Sequence, residues 1–545
     1  METFMKVVVD LTRCQGYAQC AFAAPDVFAI RGDEALLYDS DPDERQRERV
    51  ERAAIACPVQ AIFLEQQDGR ARTAALAAGA VAHGAVGDAE EAFKRTGNIV
   101  IVGASLAGLR AALVLRRQGF TGSLTVIGDE PHPPYDRPPL SKQVLIGQAS
   151  ALGTGLPRRG EFEMKWRLGI PATGLDLSGK QVILADGQNV GFDRLLIATG
   201  LRARPWPNEA EAALDGVCTV RTPEDAEALR HLLIANPGRV LVIGAGFTGS
   251  EVASACRELD VPVTIVDRGS APLAGALGAV IGRVAARMHR DHGVDLRCGV
   301  QVEALEGDGS GRLRRARLSD GSVLDVDVAV AALGSIRNFE WLEGSGLAAG
   351  TWGVACDAGC RAMDVNGIVT DDVFVAGDIA RFPHPVYNYQ YLALEHWGNA
   401  VAQAEVAAHN MISVDSRRWP HLTLPEFWST QFGTEIKSVG VPTYADQVVI
   451  AQGSVAQRRF VAAYGYRGRI TAAVAFNQSK WLEFYAGLID RAAPFPPSFR
   501  TVDPPADGHP VAAEVPDRPT RQATVVVTGH TPSERRARLV RRPYL

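Results

Sequence analysis

Asn98-Ile-Val-Ile-Val-Gly103-Ala-Ser105-Leu-Ala-Gly108-Leu-Arg110 decides the fold of this chain. The unbroken apolar run Ile99–Val102 reads as a parallel strand buried on both faces. SLAGLRAALVLRRQG (105–119) reads as a helix, and SLTVIGDE (123–130) as a second strand. Together they form one strand–helix–strand unit. Gly103 makes the tight turn, and Gly108 lets helix and strand pack closely. The N–H groups at the helix start, over Ser105, Leu106 and Ala107, can meet a pyrophosphate. Ser105 stands where the usual fingerprint has its second glycine, and a small hydroxyl there still permits close approach. Asp129 or Glu130, ending the second strand, is placed to bind ribose hydroxyls.

A second unit starts at Arg239. RVLVIG is followed by Gly244-Ala-Gly246-Phe247-Thr248-Gly249, a full G-x-G-x-x-G between a strand and a helix. Asp267 ends the next strand 23 residues after Gly244. An acid there bonds an adenosine 2′-hydroxyl and repels a 2′-phosphate, which favours NADH. Arg268 follows directly and can hold a phosphate instead, so NADPH stays open. Gly334 is placed with the nucleotide-binding glycines. Two such units mean two nucleotides.

With 545 residues the chain is too long for one core and suggests three or four compact units. Apolar residues make up 46% and charged residues 22%, as in ordinary globular proteins. The net charge of −5 is too small to imply nucleic-acid binding. Residues 1–65 carry 12 Asp/Glu against 7 Lys/Arg, and such an acidic module suits docking on a basic partner. The start lacks a secretory signal, and no apolar run of about 20 residues exists to span a membrane. A cytoplasmic location is expected. Eight cysteines are present, three of them within the first sixty residues. In a cytosolic chain that clustering points to metal rather than disulfides.

The fold expected is α/β: a small α/β unit over 1–65, a linker over 66–97, and two Rossmann-like nucleotide-binding domains. The first covers 98–212 and 325–415, the second 213–324. A C-terminal α+β domain follows over 416–500, read from short alternating strands such as RFVAAYGY (459–466) and RITAAVAF (469–476). Residues 501–545, rich in Pro and charge, read as a mostly disordered tail.

Cys14-Gln-Gly-Tyr17-Ala-Gln-Cys20 is followed by Cys57-Pro58. Iron–sulfur clusters are held by thiolates, usually in a C-x2-C-x2-C run with a remote C-P. Tyr17 occupies the middle position, leaving Cys14, Cys20 and Cys57 as ligands, and three thiolates can hold a cluster lacking one iron corner. CxGxAxC, APDVF (24–28) and CPVQAI (57–62) together resemble the small 3Fe-4S ferredoxins that serve bacterial monooxygenases. A 4Fe-4S cluster with Tyr17 or water as fourth ligand is the alternative.

PYDRPPLSK (134–142) resembles the FAD-binding segment of oxygenase-coupled ferredoxin reductases, a group within the glutathione-reductase-like fold. The likeness extends over 98–500. It implies that Arg137 and Lys142 contact FAD. It matches Ala198-Thr199-Gly200, with Arg202 and Arg204 nearby, to the turn closing the FAD domain. It matches Gly377-Asp378 to the late FAD motif, where the Asp bonds the ribityl chain. It also sets Trp397 and the Phe427-Trp428-Ser429 segment against the isoalloxazine, and Glu251 near the nicotinamide, paired with Lys142. Lys142, Glu251 and Trp397 are the catalytic candidates. Disulfide reductases of this fold carry a C-x4-C on the FAD side, and residues 131–147 contain no cysteine.

A nicotinamide gives up two electrons as hydride, a cluster accepts one, and a flavin handles both. The order NADH, FAD, cluster, external acceptor follows. The resemblance implies a cytochrome P-450 type monooxygenase as acceptor. A redox-responsive flavoprotein similar to apoptosis-inducing factor and a small-molecule reductase are the other readings.

Overall fold

The computed structural model describes residues 6–9, 20, 24, 26–31, 35–39, 42–56, 62–65, 88–156, 163–499, 508–515, 523–528 and 536–541. At the N-terminus, strands Lys6–Val9 and Ile62–Glu65 pair antiparallel, as do Phe28–Arg31 and Ala35–Tyr38. Helix Arg47–Ala56 buries Val50 and Ala53 against Val7, Val9, Cys20, Val27, Phe28 and Ile62. This small unit therefore owns a core. Cys14 and Cys57, the other two candidate ligands, lie outside the described residues.

Asn98–Val102 sits inside a six-stranded sheet. Its order is Lys165–Arg167, Ser123–Ile127, Asn98–Val102, Arg194–Ile197, Val369–Val375 and Arg361–Met363, with only the last pair antiparallel. Helices Leu106–Arg117 and Trp397–Ile412 pack on one face through Ala111, Leu115, Ala404 and Ala408. Small alanines on both helices permit that close approach. Residues 88–96 are helical, and Phe93 meets Phe120 at a tilt with ring centroids 6.1 Å apart, so this body begins ten residues before the expected boundary.

The second sheet has five parallel strands in the order Val217–Cys218, Val328–Ala331, Val240–Ile243, Val263–Asp267 and Asp295–Cys298. Val328–Ala331 was expected in the first domain. It belongs here because all four residues are buried and its ladder fills the gap between Val217–Cys218 and Val240–Ile243.

The C-terminal domain is a six-stranded antiparallel sheet of Glu426–Gln431, Thr434–Gly440, Arg469–Phe476, Arg459–Tyr466, Gln447–Ser454 and Val511–Ala512. One face buries helix Leu482–Asp490. The other face receives helix Ala274–Asp291 from the second nucleotide domain, through Leu277, Ile281 and Met288. The expectation of a structureless tail fails at 508–515. Val511–Ala512 adds the last strand to the sheet, Ala513 is buried, and Glu514 pairs with Arg283 at 2.6 Å. Strands Ala523–Thr528 and Arg536–Arg541 also pair. Proline and charge density hid a short apolar segment that only long-range partners stabilise.

Candidate active site: one cleft joining two nucleotide turns

Gly103 has φ +125°, and a Cβ there would lie 2.1 Å from the Ala198 carbonyl oxygen. A Cβ on Gly108 would lie 1.9 Å from the Gly103 oxygen. Only glycine allows this strand, turn and helix to close on each other. The helix that follows starts at Ser105 with no side-chain cap, so its first N–H groups are free for a ligand. The second turn repeats the design. Gly244 has φ +108°, a Cβ on Gly249 would sit 2.0 Å from the Gly244 oxygen, and helix Phe247–Glu258 also starts without a side-chain cap.

Two cavities run end to end from the first turn. The outer one, about 400 Å³, is lined by Gly103, Ser105, Asp129, Glu130, Arg202 and Trp341 among others. The inner one, about 300 Å³, holds Leu106, Ala107, Lys142, Gly200, Gly377, Asp378, His396, Trp397 and Trp428. Arg137, Ala198, Thr199 and Arg221 line both. Phe247, Thr248 and Glu251, from the second turn's helix, line the inner cavity too. The two nucleotide units thus open onto one chamber.

At the waist, Arg137 donates to Glu130 Oε1 at 2.6 Å, and Tyr135 donates its hydroxyl to Oε2 at 2.5 Å. Burial pushes the Tyr135 phenol well up, so it stays a donor. Glu130 is committed to these partners, which leaves Asp129 as the carboxylate open to a ribose. Arg221 faces Asp378 at 3.6 Å. Burial, then the neighbouring Arg137, lowers the Arg221 pKa; burial raises that of Asp378 against the pull of Arg221. Two guanidinium groups, uncapped helix N–H groups and an elongated cleft fit a dinucleotide.

At the inner end, Lys142 Nζ lies 2.9 Å from Glu251 Oε2, which also accepts from Ser141 Oγ at 2.5 Å. Ser429 Oγ donates to Glu251 Oε1 at 2.6 Å. Trp397 donates Nε1–H to Asp136 at 2.9 Å and meets Trp428 edge-on at 5.8 Å. Burial lowers the His396 pKa to about 4, so its ring is neutral.

Other expected residues fall elsewhere. Gly244, Gly246, Gly249, Asp267 and Arg268 lie at the second turn rather than in the chamber, and Gly334 lies outside both cavities, its carbonyl accepting the Arg204 N–H at 3.0 Å. Asp267 accepts from Ala245 N–H at 2.7 Å and Gly269 N–H at 2.6 Å, fixing it at the end of its strand. Arg268 is exposed. Arg204 is exposed and donates to the Ser335 carbonyl, outside both cavities; its neighbour Arg202 lines the outer one. Strand Leu201–Ala203 keeps Arg202 beside the outer cavity and ends before Arg204, whose guanidinium turns to the Ser335 carbonyl. Arg221 was not anticipated as a site residue, and Ser141 and Ser429 were expected only as parts of the FAD-matched segments 134–142 and 427–429, with no role of their own. Arg221 directly precedes the helix cap Thr222, a faint signal; nothing in the sequence joined the two serines to Glu251.

A flavoprotein-like body with two nucleotide turns and one shared chamber defines a nucleotide-dependent oxidoreductase. The chain belongs to the pyridine nucleotide-disulphide oxidoreductase family, whose profile matches residues 97–404. A "Reductase C-terminal" profile matches 426–507, and one described as "4Fe-4S single cluster domain of Ferredoxin I" matches 9–63. The chain is therefore a ferredoxin domain fused to a reductase, and the families imply FAD, a nicotinamide nucleotide and an iron–sulfur cluster. It is 34% identical to the probable ferredoxin reductase CtmF of Castellaniella defragrans, over 71% of this chain and 92% of that protein. It is 32% identical to putidaredoxin reductase CamA of Pseudomonas putida, over 70% and 90%. The crystal structure of the covalent putidaredoxin reductase–putidaredoxin complex superposes with a TM-score of 0.68 at 31% identity, covering 73% of this chain and 94% of that one.

Proposed function

We propose that this cytoplasmic enzyme is an NADH-dependent ferredoxin reductase carrying its own ferredoxin, and that it passes electrons through FAD and a 3Fe-4S cluster to a cytochrome P-450 type monooxygenase. The observation that carries the reading is the shared chamber, where Phe247, Thr248 and Glu251 of one nucleotide unit face Leu106, Gly377 and Trp397 of the other. Bound FAD would supply the conversion of one hydride, carrying two electrons, into two single-electron transfers.

The chain's own residues bind and orient. Ser105, Leu106 and Ala107 offer N–H groups, with Arg137 and Arg221, to the pyrophosphate. Asp129 takes the ribose and Asp378 the ribityl chain. Lys142, Trp397 and Trp428 enclose the ring end, and Phe247 and Trp428 exclude water there. Gly244, Gly246 and Gly249 with Asp267 hold NADH, the Asp267 charge discriminating against a 2′-phosphate. Cys14, Cys20 and Cys57 ligate the cluster; with Tyr17 in place of a fourth cysteine, three thiolates favour three irons.

Iron, sulfide and flavin quantification with EPR of the oxidised protein tests the cofactors. One FAD per chain and a 3Fe signal near g = 2 are expected, and an iron-free protein rejects the reading. Anaerobic titration should bleach the flavin at lower NADH than NADPH. Reduction of a bacterial cytochrome P-450 under carbon monoxide, followed in the Soret band, tests the acceptor class.

A further inference from the structure

Glu251 sits on helix Phe247–Glu258 with a nearly buried side chain. Three donors converge on its carboxylate: Ser141 and Lys142 on Oε2, Ser429 on Oε1. The first two come from the FAD domain, and Ser429 from the C-terminal sheet. We propose that the C-terminal domain completes the nicotinamide site through Ser429, a positioning residue whose hydroxyl fixes the Glu251 carboxylate. This rests on the reading of Glu251 as part of that site.

The arrangement is directional. Ser429 is fully buried, and its Oγ accepts from Gln431 Nε2–H at 3.1 Å. A hydroxyl has one proton and two acceptor lone pairs; the Gln431 N–H takes one of the lone pairs, and the single proton goes to Glu251 Oε1. The hydrogen bonds therefore run in one sense, from Gln431 to Ser429 to Glu251.

The register is built in as well. Strand Glu426–Gln431 alternates exposed and buried, so Phe427, Ser429 and Gln431 share the inward face. On the helix, Phe247, Glu251 and Ser254 are spaced by four and three residues, one face. Phe247 meets Phe427 with ring centroids 4.7 Å apart, Glu251 meets Ser429, and Ser254 Oγ accepts the Phe432 N–H at 2.7 Å. Two strand residues advance about 6.6 Å, and four helical residues about 6 Å, so the first two matches stay in step, and the third is made where the strand has ended and the chain turns at Phe432. The turn beyond then inserts Phe432 against His289 and His292, at 5.0 and 4.8 Å. A strand of the C-terminal domain thus reads the helix that starts at the second nucleotide turn, and its middle contact is the hydroxyl on Glu251. A glutamate held through Oε2 alone, by Ser141 and Lys142, keeps rotational freedom at its second oxygen; the Ser429 donor on Oε1 removes it.

The test uses the full chain loaded with flavin and measures NAD⁺ affinity by calorimetry, with flavin content and circular dichroism as folding controls. Ser429→Ala should weaken NAD⁺ binding roughly tenfold, the effect of losing a hydrogen bond to a charged group. Ser429→Thr should restore it. Ser429→Cys, near-isosteric with a weak donor, should fall between and covers the case in which the alanine variant misfolds. In a Glu251→Ala background, Ser429→Ala should add nothing, because its effect passes through the carboxylate. An equal loss in both backgrounds, or no loss in the single variant, overturns the proposal while wild-type binding leaves the nicotinamide reading intact. Wild-type protein that binds neither NAD⁺ nor NADP⁺ overturns that reading, and the positioning role with it.

Discussion

Arg137 and Arg221 meet at the waist of the cleft with Glu130 and Asp378 as their carboxylates, and Arg137 also donates to the Arg221 carbonyl. The Asp378 pair is loose at 3.6 Å, so Arg221 keeps donors to spend on an anion. Arg221→Gln should weaken flavin binding by about 2 kcal/mol, the scale of a charged hydrogen bond. Titrating FAD back into stripped protein measures it. Buried histidines carry a separate prediction. Burial lowers the pKa of His289 and His396 to about 4 and of His421 to about 3, below the unfolded value of 6.5. The unfolded chain takes up these protons first, so stability falls as pH drops below about 6.5. At pH 5.5 each should cost about 1.4 kcal/mol relative to neutral pH. Urea unfolding at pH 7.5 and 5.5 should show the loss, reduced in His289→Gln. At this scale the glycines were legible, since a turn that only glycine can make leaves a fixed spacing. Arg221 and the contact of Ser429 with Glu251 were not, because the partners Arg137 and Glu251 lie 84 and 178 residues away.

Helix Ala274–Asp291 shows what an element owes to its neighbours. It enters from Leu273 in a left-handed conformation and breaks its helical geometry at Gly278, φ +76°. The break is covered by the segment 513–515. A Cβ on Gly278 would lie 2.3 Å from the Ala513 carbonyl oxygen, Ala279 N–H donates to the Glu514 oxygen, and Tyr464 donates to the Leu277 oxygen. Gly278→Ala should destabilise the full chain by about 2–3 kcal/mol through positive φ and overlap. In a chain ending at 507 the overlap is gone and the cost should shrink to the φ strain. Thermal melts of the four proteins separate the two. The strand–helix–strand units were readable because buried parallel strands are short apolar runs before glycine-rich turns. Val328–Ala331 was misassigned because such a run carries no sign of which sheet it joins. The segment 508–515, with its strand Val511–Ala512, was missed because its stability comes from Arg283, Asp446 and Gln447, all distant in sequence.

At the scale of the molecule, the acidic N-terminal unit has a separate core, and its fusion to the reductase makes their encounter intramolecular. Effective concentrations for such tethers are on the order of millimolar. Flavin-to-cluster transfer should then proceed at a rate independent of enzyme concentration, measured by stopped flow over a hundredfold dilution. A rate proportional to concentration rejects the tethered route. The order of domains was legible from their motifs, whereas the packing of helix Ala274–Asp291 on the C-terminal sheet was not, since no local pattern encodes which sheet face a helix will choose.

The strand Val511–Ala512 occupies the outer ladder position beside Gln447–Ser454. The matched C-terminal profile stops at 507, one strand short of it. Trimming the protein to that boundary would bare part of a row of backbone donors and acceptors, an invitation to pair with another copy. Light scattering should find the trimmed chain self-associating where the 545-residue one stays dispersed, with the few residues that look expendable acting as the sheet's selvedge.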